Sequence, residues 1–201
     1  MLLDQIVGDI AAAMRRIDER RPCAANARTG QRYQPGIGPF PESQAVALVA
    51  RELEALRPAA YGGRVTTDVP YPGQSRQRCD LCLGPAPDFE WCVEVKMLRL
   101  MGDNGKPNDN MLMHILSPYP QDRSAVTDCA KLAGSGLPGR KAIVIYGFDY
   151  PERPMDPEID AFEVLARRTV SLGDRISAAY DGLVHPVHCA GRIFGWEVGA
   201  A

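Results

Sequence analysis

Two hydrophobic periods divide the chain. Leu2, Leu3, Ile6, Val7, Ile10, Ala13, Met14 and Ile17 recur at helical spacing and predict an amphipathic first helix that ends in Arg15-Arg16 and Arg20-Arg21. Arginines in a last turn usually form a solvated face and complement the helix dipole. From Pro22 to Pro41 the period is lost and Gly, Pro and Asn accumulate, which predicts a long loop. Pro41 opens a second helix with Val46, Val49, Ala50, Leu53 and Leu56 as its buried stripe, and Glu42 falls on that stripe in the first turn. The period then changes to two. Gly63 to Pro70, around Val65, Thr66, Thr67 and Val69, predicts a first strand, and Arg78 to Leu83 a shorter second one. The turn-rich link Gly84-Pro85-Ala86-Pro87-Asp88 brings the chain back as a hairpin into a third strand, Phe89 to Lys96.

That third strand alternates, with Phe89, Trp91, Val93 and Val95 on one face and Glu90, Cys92, Glu94 and Lys96 on the other. After Met101 the segment Gly102 to Asn110 is polar enough to demand a solvated loop. Ser124 caps a helix through Val126, Cys129, Ala130 and Leu132, and Lys141 to Phe148 is an apolar run of the kind buried on both faces. A strand, a crossover helix and a strand in this order predict parallel pairing. Ala161, Phe162, Val164 and Leu165 mark one more helix, and Leu183 to Cys189 with Arg192 to Val198 predict a closing strand pair. The expected architecture is a single α/β domain, residues 1–201, with a mixed central sheet flanked by helices. Its parts are an N-terminal helix (1–21), a loop (22–41), an αβββαβ core (42–150) and a C-terminal helix and strand extension (151–201).

Composition narrows the classes. A chain of 201 residues, 45% hydrophobic, supplies a full core without disulfide or metal staples. It has no apolar run of membrane length and no basic leader, so the expected location is the cytoplasm, with no membrane partner. Six cysteines then read as reduced, buried thiols. A net charge of −2 does not advertise nucleic acid, but phosphate binding needs only a local patch, and Arg64, Arg76, Arg78, Arg99, Lys106 and Arg123 lie near the third strand in sequence.

The chemistry concentrates around that strand. If the two hairpin strands are neighbours, Asp80 comes next to Glu94, with Lys96 about 6 to 7 Å further along. Two carboxylates, a backbone carbonyl and a lysine suit Mg²⁺, which takes oxygen ligands in an octahedron and keeps several waters. Asp80 followed after thirteen residues by Glu94-Val95-Lys96 resembles the PD-(D/E)xK nuclease superfamily, with one departure, Cys79 in place of proline before the aspartate. The resemblance covers roughly residues 40 to 150. It implies a restriction-endonuclease-like core and a metal-dependent nuclease hydrolysing phosphodiester bonds, in DNA before RNA, for restriction, phage defence or repair. Mg²⁺, for which Mn²⁺ substitutes, would be held by Asp80, Glu94 and the Val95 carbonyl. Lys96 would assist the attacking water and the phosphate, and Glu42 would be directed at the same site. Arg78, Arg99, Lys106, Arg123 and Lys131 are the candidate nucleic-acid contacts, and a second copy or a partner protein is expected to help choose the target.

Three rival readings remain. Glu94 and Lys96 would also make an ordinary exposed ion pair, worth little to stability. The same fold also serves as a non-catalytic subunit that binds nucleic acid or protein. Cys79-x-x-Cys82 and His185-Pro-Val-His188-Cys189 offer zinc donors. A regular strand, however, puts Cys79 and Cys82 on opposite faces, so core thiols are expected there, and His185, His188 and Cys189 are expected to be structural or surface residues.

Overall fold

A computed structural model describes residues 1–200, leaving aside the side chains of Ser75 and Arg76. In chain order the elements are α1 (Leu3–Glu19), α2 (Glu42–Leu56), the single-turn α3 (Pro58–Tyr61), β1 (Val65–Tyr71), β2 (Gln74–Leu83), β3 (Trp91–Leu98), the single-turn α4 (Met113–Leu116), α5 (Ala125–Ala133), β4 (Arg140–Phe148), α6 (Asp156–Ala166), β5 (Ser171–Leu172), β6 (Ile176–Tyr180) and β7 (Gly191–Gly199). The seven strands form one mixed open sheet. Its order runs β1-β2-β3-β4-β7, and β7 also takes β5 and β6 as partners. β3 and β4 are parallel over their whole length, from Trp91 beside Arg140 to Leu98 beside Gly147, and the other pairs are antiparallel.

The helices pack where their apolar stripes send them. Ile10 and Met14 of α1 and Val46 and Val49 of α2 close over Leu81, Val95 and Tyr146 on one side of the sheet. Burying each such side chain contributes about 1.5 to 3 kcal/mol. α5 packs against β3, β4 and α6. It starts as the sequence predicts, with the Ser124 hydroxyl accepting from the Thr127 amide. Two of the arginines at the end of α1 are structural, since Arg16 and Arg20 both bind Glu52, a buried carboxylate of α2, and so lock the two helices together.

Two expectations change. The C-terminal strand pair is β6 with β7, while residues 183–189 form no strand. Pro186 lacks the amide that a ladder position needs, whereas Ile176–Tyr180 alternates half-buried and exposed positions beside β7. The second concerns β3, which is no surface strand. Both of its faces are covered, and Glu94 is only 1% exposed, so the exposed ion pair is excluded. Among the described residues no helix is long and apolar enough to cross a membrane.

Candidate active site

The site begins where a hairpin forks. The β2–β3 ladder pairs Leu83 with Trp91, Cys82 with Cys92 and Leu81 with Val93, and then stops. The next pair in that register would be Asp80 with Glu94. Here β2 leaves, and two carboxylates take over the exposed edge of β3. Asp80 Oδ2 accepts from the Val95 amide at 2.8 Å, and Glu42 Oε2 accepts from the Met97 amide at 2.6 Å. Glu42 reaches this edge because it opens α2, directly after Pro41. The Val95 carbonyl shares the edge of its own amide, so it too faces the fork.

Glu94 and Lys96 point from β3 towards α5, and α5 answers with Asp128 and Lys131. Lys96 Nζ lies 2.9 Å from Asp128 Oδ2 and 3.4 Å from Glu42 Oε1. Lys131 Nζ lies 2.8 Å from Glu94 Oε1 and 2.7 Å from Asp128 Oδ1. The Tyr71 hydroxyl, from the β1–β2 hairpin, donates to Glu94 as well. Asp80 lies near enough to Glu94 for its charge to raise the Glu94 carboxyl, and both line the same cleft. All six charged groups line one cleft of about 760 Å³, together with Gln77, Arg78, His114, Gln121 and Arg123.

Electrostatically this inner group is out of balance. Four carboxylates (Glu42, Asp80, Glu94, Asp128) face two ammoniums (Lys96, Lys131), an excess of two negative charges when all are ionised. Burial, then the charges of Asp80 and Asp128, push Glu94 well above the usual carboxylate range. Burial raises Glu42 too, against the pull of Lys96. Burial alone would lower Lys96, but Glu42 and Asp128 outweigh it and hold the ammonium charged. Among the described residues, the donors at the fork are carboxylate and carbonyl oxygens with no thiol or imidazole at the centre, a set that suits a hard cation such as Mg²⁺ or Mn²⁺.

The fold therefore brings Glu42, Asp80, Glu94 and Lys96 together. Of the candidate phosphate contacts, Arg78, Arg123 and Lys131 line the cleft. Arg99 is turned away to the Gly38 carbonyl and Asp103, and Lys106 is exposed on its loop outside the cleft lining. The Arg76 side chain lies outside the described residues. Sequence reading missed Asp128 and Tyr71. Asp128 was legible in principle, since it stands three residues before Lys131 on the same helix face. Tyr71 had no local signal, because only the hairpin turn carries it to Glu94.

The zinc rival looks different in three dimensions. Cys79, Cys82 and Cys92 are all buried in one small apolar cluster with Tyr71, Phe89, Leu132 and Leu137. Cys79 and Cys82 therefore share one cluster, contrary to the opposite faces expected of a regular strand. Elsewhere, Asp103, His185 and His188 come within about 4.8 Å of one another. His188 is bonded at both nitrogens, to Tyr150 at 2.8 Å and to Asp103 at 3.0 Å. His185 accepts the Val187 and His188 amides at Nδ1, so its neutral ring carries the proton on Nε2, which has no partner. The two rings are stacked with planes 17° apart. This is a hydrogen-bonded pair of buried rings, and Cys189 is exposed. Comparison of the chain with family models, curated proteins and solved structures found no match.

Proposed function

We propose that the protein is a metal-dependent nuclease of the PD-(D/E)xK kind, with residues 42–150 as its restriction-endonuclease-like core and nucleic acid, DNA before RNA, as its substrate. The observation that carries this reading is the meeting of Asp80 and Glu94 where β2 and β3 part, with Lys96 two residues further along β3 and Glu42 on the same edge. A bound Mg²⁺ would supply a Lewis acid and a water of lowered pKa. Asp80, Glu94 and the Val95 carbonyl are the groups to hold it. Lys96, kept cationic by Glu42 and Asp128, stabilises negative charge as it develops on the attacked phosphate. Glu42 orients Lys96 and fixes the end of β3. Arg78 and Arg123 at the mouth of the cleft suit the flanking phosphates. Target choice is assigned to a second copy or a partner protein, since the arginines lining the cleft suit phosphates, and phosphate contacts carry no sequence information.

The rival is a binding subunit of the same fold, and one observation favours it: Lys131 already occupies Glu94 Oε1, an oxygen needed for a cation. The test is cleavage of labelled single- and double-stranded DNA and RNA by purified protein with Mg²⁺, Mn²⁺ or EDTA. The nuclease reading expects metal-dependent cleavage that falls at least about 100-fold in Lys96→Ala, the scale of an electrostatic catalytic group. Binding without cleavage by the parent protein in either metal would decide for the rival.

A further inference from the structure

Lys131 makes a contact that neither reading of the cleft requires. Its ammonium sits 2.8 Å from Glu94 Oε1, holds Asp128 at 2.7 Å and lies over the Tyr71 ring, 5.1 Å from its centre. Glu94 is fully buried, whereas Lys131 is about one-fifth exposed and borders the open cleft. Lys96 has its own two carboxylates, Glu42 and Asp128, and does not neutralise Glu94. Lys131 is thus the cation of Glu94.

We propose that Lys131 is a built-in competitor for the metal-binding carboxylate, released on metal binding to contact a nucleic-acid phosphate in the cleft. This inference rests on the nuclease reading of the site. The physical basis is exclusion. An ammonium and a divalent cation cannot share one carboxylate oxygen at contact distance, and like charges a few ångströms apart repel strongly in a partly buried site. Lys131 has somewhere to go, because its four-carbon stem is flexible and the cleft beside it is open. Asp128 anchors it on departure, so the ammonium stays in the cleft and faces what enters. The exchange couples the two ligands: metal frees a phosphate contact, and a bound phosphate keeps Lys131 off Glu94.

The sign of one effect separates this device from a merely structural ion pair. Mn²⁺ binding to the parent, Lys131→Met and Lys131→Arg is measured by calorimetry without nucleic acid. Binding of a fluorescent oligonucleotide is then measured in Ca²⁺. Lys131→Met is expected to bind Mn²⁺ about tenfold tighter, the effect of one partly screened charge, and the oligonucleotide about tenfold more weakly. Lys131→Arg is expected to track the parent in both. If Lys131→Met does not fold, Lys131→Gln, which keeps a hydrogen bond to Glu94, replaces it. Mn²⁺ binding equal to or weaker than the parent's overturns the proposal, as does unchanged oligonucleotide binding in Ca²⁺. No Mn²⁺ binding by the parent removes the nuclease reading itself, whereas parental binding with no gain in the variant removes this inference alone.

Discussion

Glu94→Gln removes one negative charge from the centre of the cleft while leaving a side chain of the same shape. In the metal-free protein Glu94 is buried against Asp80 and Asp128, and Lys131 and Tyr71 offset only part of that. Its folded pKa lies above the unfolded value of 4.5, so the ionised group destabilises the fold. Below about pH 4.5 both states are protonated and the penalty is absent. It grows as pH rises past that value, because the unfolded chain ionises first, and is complete above the folded pKa. A tenfold difference in proton affinity between the two states is worth about 1.4 kcal/mol. The attraction of Lys131 is already part of that net upward shift, so the glutamine variant is expected to gain stability at pH 8. For a chain of this size each 1 kcal/mol gained raises Tm by about 2 to 4 °C. Thermal melts of parent and variant in EDTA from pH 4.5 to 8.5 should therefore diverge as pH rises. With metal the order reverses. At a hundred times its Kd, Mg²⁺ would add about 2.7 kcal/mol to the parent by mass action and little to the variant. A variant that melts lower than the parent at pH 8 in EDTA, or a gap that does not change with pH, would refute the crowded-carboxylate picture.

Arg123→Ala, at the mouth of the cleft, should weaken nucleic-acid binding for all sequences alike and lower the slope of log K against log salt by about 0.9 on duplex DNA, read by fluorescence anisotropy. Ser124→Ala removes the cap of the helix that carries Asp128 and Lys131 and should cost about 1 to 2 kcal/mol, read by urea unfolding. Gly38→Ala drives a methyl group to within 2.5 Å of the buried His188 ring, and overpacking there should cost about 1 to 3 kcal/mol in the same assay without altering the metal response.

Helices α1, α2 and α5 and strands β1 to β4 are legible in the sequence because each carries its own period, cap or turn within a few residues: the apolar stripe of α1, Ser124 before α5, the proline-rich link before β3. Asp80, Glu94 and Lys96 are legible as candidates because the hairpin brings Asp80 next to Glu94, whereas Glu42 is named only by the resemblance to the nuclease superfamily. Burial and partnership are not legible in this way. The same alternation in β3 fits a solvated strand or a buried one, and only the packing of α5 over it turns Glu94 and Lys96 into interior charges. The first strand of the C-terminal pair lies at Ile176–Tyr180 and not at 183–189, since its apolar alternation is weak and it becomes a strand by lying next to β7. Tyr71 meets Glu94 across 23 residues of chain, and the ties of Asp128 to Lys96 and of Lys131 to Glu94 join α5 to β3 across separate elements. Local propensity reaches a few residues, whereas the free energy of a buried charge is set by whatever the whole fold brings within a few ångströms of it.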